Sequence, residues 1–159
     1  MSNKMVSWRS IAPATLCCAL LCAGVLLAGC GASTQSSASA RYVAQGNRIC
    51  TTQLALLHRL PMPTTPEQAI DYLPHALTIM HRENVQLRTI DPASSKQTEL
   101  NAALVDTDRL TALLSRFLHS LKTGVVELTT FGQVEGQSSV LRSQIDAEFR
   151  RAGLTRCAS

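Results

Sequence analysis

The chain has 159 residues, a formal net charge of +4, 45% hydrophobic residues and only 4% aromatic residues. That is enough chain for one domain with its own apolar core and no structural metal. So small a charge leaves no electrostatic footprint for nucleic acid, and so few aromatic faces argue against a platform for stacking bases or sugars.

The first segment is a leader. Lys4 and Arg9 precede an apolar run at residues 11–26, and the small residues Ala28 and Gly29 follow it. A basic start, an apolar middle and a small-residue cut site describe a secretory signal peptide. An uncut membrane helix is the competing reading, because about 20 apolar residues also span a bilayer. No basic stop-transfer cluster follows, and residues 31–40 are small and polar. Leu27-Ala28-Gly29-Cys30 resembles the lipobox of bacterial lipoproteins. The resemblance implies that the Cys30 thiol receives a diacylglycerol and that a peptidase cuts between Gly29 and Cys30. The mature chain would then be exported and held on the membrane through its lipid, on the extracytoplasmic side. Which membrane holds it stays open, since Gly31 is not the aspartate that favours inner-membrane retention in that family. The expected division is a signal peptide at 1–29, a lipidated cysteine with a flexible Ser/Ala-rich tether at 30–40, and a helical domain at 41–159. Loss of Lys4 and Arg9 with the leader would lower the net charge by two.

Four helices are expected after the tether. The first spans about residues 41–60, where Ile49, Cys50, Gln53, Leu54, Leu57 and Leu60 recur at three- and four-residue spacing. Pro61-Met62-Pro63 stops it. The second begins at Thr65-Pro66-Glu67, with a threonine to cap, a proline suited to the first turn and an acid at the positive helix end. Its stripe is Ile70, Leu73, Leu77, Met80, Asn84 and Leu87, with a kink or break expected at Pro74.

Asp91-Pro92 marks the next start by the same logic. The third helix carries Leu100, Ala103, Thr107, Leu110, Leu114, Phe117 and Leu121, widened by Leu104, Leu113 and Leu118. Such a broad apolar face meets more than one neighbour. Lys122-Thr123-Gly124 ends it. Residues 125–131 have strand propensity, but a lone strand has no partner, so a fourth helix is expected instead. Val134, Ser138, Leu141, Ile145, Phe149 and Ala152 carry it to a stop at Gly153. Four amphipathic segments on short connections give an all-α fold, an up-down helical bundle. The aromatic residues Tyr42, Tyr72, Phe117, Phe131 and Phe149 are expected in its core.

Cysteines fall into groups. Cys17, Cys18 and Cys22 lie in the leader and Cys30 is the lipid site, which leaves Cys50 and Cys157. Two remaining cysteines in an exported domain most simply form one disulfide, the alternatives being a metal pair or free thiols. Cys50 sits within the first helix and Cys157 beyond the fourth. A bridge therefore requires the tail to fold back, with Gly153 supplying the turn, or the fourth helix to be offset.

No constellation specifies a reaction. His58, His75, His81 and His119 show no metal-ligand spacing and are expected at or near the surface. Asp106 and Asp108, two apart, do not face each other on a helix and read as a solvated face beside Arg109. Glu99, Asp106, Asp108 and Arg109 could equally serve a partner, and nothing specifies one. Ser138-Ser139 lacks the turn motif of a nucleophilic serine, and no glycine-rich phosphate loop is present. Gly132 and Gly136 share a helical face and suit close backbone packing or a bend. No cofactor, metal site or catalytic residue is expected, and the chain is not expected to be an enzyme.

Arg48-Ile49-Cys50 and Arg156-Cys157-Ala158 resemble motifs of small bacterial lipoproteins with helical domains and no assigned reaction. The resemblance implies a disulfide-tied helical domain. The resulting expectation is a lipid-anchored, non-enzymatic envelope protein that presents a surface to an envelope partner. The alternative is a carrier or sensor with a small-ligand pocket inside the bundle.

Overall fold

The computed structural model describes residues 30–92, 94–124 and 128–158. The expected signal peptide, Gly29 included, lies outside these residues. Four helices account for most of the described chain: α1 (Cys30–Leu57), α2 (Pro66–Arg88), α3 (Gln97–Thr123) and α4 (Leu128–Ala152). A single 3-10 turn, Ser94–Lys96, precedes α3, and no strand occurs among the described residues. The all-α bundle expected from periodicity is the observed fold.

α1 starts earlier than the apolar stripe requires. The stretch at 30–40, expected to be a coil, is helical and continuous with the packed part of α1. Nucleation is the costly step in helix formation, and extending an existing helix through Ala, Ser and Gln costs little. From Cys30 to Tyr42, the first core residue, the helix axis covers about 18 Å.

α2 begins as its sequence dictates. Thr65 Oγ1 accepts from the Gln68 amide at 3.3 Å, Pro66 occupies the first turn, and Glu67 stands at the positive end. Gln68 Oε1 in turn accepts from the Thr64 amide at 2.7 Å. The Glu67 carboxyl is held below the usual range by its own backbone amide and by Thr65. The helix runs unbroken through Pro74, so the break named as one outcome there does not occur. Proline removes one backbone donor there, and the apolar residues on either side, Leu73 and Ala76, are buried against the neighbouring helices.

Asp91-Pro92 does not open α3. The helix starts at Gln97, and its flanking residue Lys96 makes no side-chain cap. Lys96 Nζ instead donates to the Arg151 carbonyl at 2.6 Å, one of the last carbonyls of α4. That bond sets the start of α3 beside the end of α4. At the opposite end, the rings of Phe117 and Phe131 meet edge to face at 5.0 Å. The two helices are therefore antiparallel. Gly124 closes α3 in the left-handed conformation, φ 70°, as expected of a terminal glycine.

α3 packs against both α2 and α4, and α1 packs against α2. The broad stripe on α3 thus serves two neighbours. Leu87, Leu100, Leu104 and Leu154 are wholly buried at the centre, and Tyr42 and Phe149 join them. Tyr72, Phe117 and Phe131 pack on the margin of this core. The Tyr42 hydroxyl is buried without a hydrogen-bond partner, and burial together with the charge of Glu99 pushes it up to about 12.

The tail closes the fold. Gly153 adopts φ 85°, its amide bonds the Arg150 carbonyl, and the Leu154 amide reaches back to the Phe149 carbonyl at 2.8 Å. This pair of hydrogen bonds around a left-handed glycine is a Schellman stop. It turns the chain onto α1, where Asn47 Oδ1 accepts from the Arg156 amide at 2.9 Å. Cys50 and Cys157 then form the disulfide, with Cα atoms 4.9 Å apart. The turn that the bridge demands is supplied at Gly153.

Candidate functional site

α1 and α4 are joined by the tail at one end, and an apolar cleft of about 730 Å³ lies between the helices. Every helix contributes to it: Leu54 and Leu57 from α1, Leu73 and Met80 from α2, Leu104, Leu110 and Leu114 from α3, and Ile145 and Phe149 from α4. Leu60 and Met62, in the proline-flanked connection before α2, form part of its wall. Met62 is among the most exposed large apolar residues described. A second hollow, about 470 Å³, lies beside it against Pro61, Met62, Gln68, Asp71, Tyr72 and His75.

Few polar groups converge on the main cleft. They are His58, Tyr72, Glu83, Asn84, Thr107, Arg142 and Asp146. Glu83 is half-buried and forms no hydrogen bond or ion pair among the described residues. Burial pushes its carboxyl up to about 7. A Glu83 carboxylate oxygen and the two disulfide sulfurs lie within 4.8 Å of one another. The bridge is thus a weakly solvating neighbour for the carboxylate. With the thiols joined, the trio presents one oxygen ligand and no thiolate, which is not the donor set of a zinc site.

Asn84 is buried one residue further along α2. Its amide nitrogen donates to the Leu104 carbonyl at 3.3 Å and to the Asp108 carboxylate. Both partners are acceptors, which fixes the orientation of the side-chain amide. The other end, Oδ1, is then a buried acceptor without a donor. Buried polar atoms in this condition are uncommon in folded proteins.

The residues singled out in the sequence scatter elsewhere. All four histidines are exposed; His58 reaches the cleft and His75 the second hollow. Asp106 is not part of a solvated face: it is buried and pairs with Arg109 at 2.6 Å. Asp108 is exposed and pairs with Arg88 at 2.6 Å. Ser138 is buried and its hydroxyl is unpaired. Gly132 and Gly136 pack no backbone closely, since a Cβ at either would meet nothing within 4 Å. Cys30 opens α1. Glu83 escaped sequence reasoning, although it occupies a place in the stripe Met80, Glu83, Asn84, Leu87. An acid at core spacing was the available signal.

Among the described residues no helix is long and apolar enough to cross a membrane. No protein-family model, curated protein or solved structure matches this chain.

Proposed function

We propose that this chain is a lipid-anchored envelope protein that holds a small, largely apolar ligand between its helices, as a carrier or sensor without catalysis. The observation that carries the ligand reading is the cleft. Its volume of about 730 Å³ falls in the range of small-molecule sites, and its walls are apolar with a few convergent polar groups. A domain of this size with its core on α3 does not need so large a hollow for stability, because close packing is the cheaper arrangement. The anchor rests on the leader, on Gly29-Cys30 as the cut site and on the lipobox resemblance. The α1 segment from Cys30 to Tyr42 would then act as a helical stalk between bilayer and bundle.

Both parts have direct tests. Mass spectrometry of the protein purified from membranes is expected to find Cys30 as the first residue, carrying a diacylglycerol. A retained leader would reject the anchor. Native mass spectrometry is expected to show a small-molecule adduct that is lost in Thr107→Trp, whose indole would occupy the cleft. An adduct unaffected by that substitution, or none at all, would reject the ligand reading.

A further inference from the structure

Resting on that reading, the polar groups of the cleft define the chemistry of its occupant. Glu83 lines it with a half-buried carboxylate that meets no donor among the described residues, whereas Asn84 Oδ1, one residue on, is closed off from the cleft. A desolvated acceptor without a donor is costly, and a ligand bearing donors would recover that cost. An ammonium group carries three donors, a positive charge and no acceptor, which suits a carboxylate that has no partner.

Charge points the same way. α2 contributes Glu83, α4 contributes Asp146 and the exposed Arg142, and His58 lies at the end of α1. α3 adds only Thr107 and leucines, and the tail adds the disulfide. With His58 neutral, the lining is net negative. A fatty carboxylate would meet repulsion at Glu83, and a neutral alcohol brings a single donor. We infer that the cleft takes an amphipathic amine: a protonated nitrogen at the Glu83 carboxylate, with an apolar body along Leu54, Leu57 and Met80.

Three probes of matched shape separate this inference from the broader one: cyclohexanemethylamine, cyclohexanemethanol and cyclohexanecarboxylate. Each is titrated calorimetrically into the full chain in lipid nanodiscs, with empty nanodiscs as the blank, at about pH 8, where Glu83 is ionised. Amine binding is expected to be roughly tenfold tighter than alcohol binding, as befits a charge-assisted hydrogen bond in a poorly solvated site. In Glu83→Gln the preference for amine over alcohol is expected to vanish, with circular dichroism reporting the fold. Equal binding of amine and alcohol, tighter binding of the carboxylate, or a preference that survives Glu83→Gln would each overturn the amine assignment and leave the cleft reading intact. If none of the three probes binds, both readings fall.

Discussion

Leu154 occupies a notch in α1 that exists because residue 46 is glycine: a Cβ there would lie 2.5 Å from Leu154 Cδ2 and 3.0 Å from Cδ1. Leu154 has no exposed surface, so its methyl groups have nowhere to retreat. Gly46→Ala is expected to destabilise the fold by about 1–3 kcal/mol through overpacking, although alanine is the better helix former. In a Leu154→Ala background only Ile90 Cδ1, at 3.3 Å, still meets the new methyl, so the cost of Gly46→Ala is expected to shrink to within about 1 kcal/mol of zero. Urea unfolding of the two singles and the double mutant measures this. Additive effects would show that the notch does not couple the tail to α1.

The same tail carries the disulfide. Cys50 and Cys157 are 107 residues apart in sequence, and the chain-entropy model assigns a loop of that size about 4–5 kcal/mol. Paired Cys50→Ala and Cys157→Ala substitutions are expected to lower unfolding stability by that order. Asn47 and Leu154 still hold the tail once the bridge is gone, so helical circular dichroism should survive at low temperature. A stability unchanged by the loss of both sulfurs would contradict this account of the tail.

Lys96 contributes at the other edge of this junction. Its ammonium caps an unpaired carbonyl at the negative end of α4. Lys96→Met is expected to cost about 0.5–1 kcal/mol, an effect that should weaken with added salt. Thermal unfolding at low and high salt distinguishes this from a salt-independent packing loss.

Much of this architecture could be read from residue spacing. The threonine cap and proline of α2, the glycine stops of α3 and α4 and the broad stripe of α3 all work by local geometry, which sequence displays directly. Three features could not be read because they depend on distant parts of the chain. Residues 30–40 are helical through continuity with a packed segment. Asp106 is buried by neighbours that its own helix does not reveal. Gly46 looks like a defect in α1 until the tail returns to fill it. The cleft belongs to the same class, since a cavity is a property of how faces meet and not of any one face. Glu83 alone left a trace, an acid in an apolar stripe.

The raised proton affinity of Glu83 has a thermodynamic consequence. Its carboxyl moves from an ordinary value of 4.5 to about 7 on folding. Between those values the folded chain holds more proton than the unfolded chain, so stability falls as pH rises through the window. Above about 7 the cost is fully present. Glu83→Gln is expected to match the wild type below about pH 4.5 and to exceed it by about 1–3 kcal/mol above pH 7. Urea midpoints across this range, taken on both proteins, decide it; curves that stay parallel would show that Glu83 is not desolvated.

The claim on which the functional account depends is that the hollow between the helices admits a small apolar molecule. Methyl-resolved NMR of the full chain in nanodiscs, titrated with cyclohexanemethanol, tests it most directly. Saturable shifts are expected at Leu104, Leu110, Leu114 and Ile145, which line the cleft, with the exposed Val85, Val105 and Val140 unmoved. Shifts confined to those valines, or cleft methyls that never respond, would contradict it.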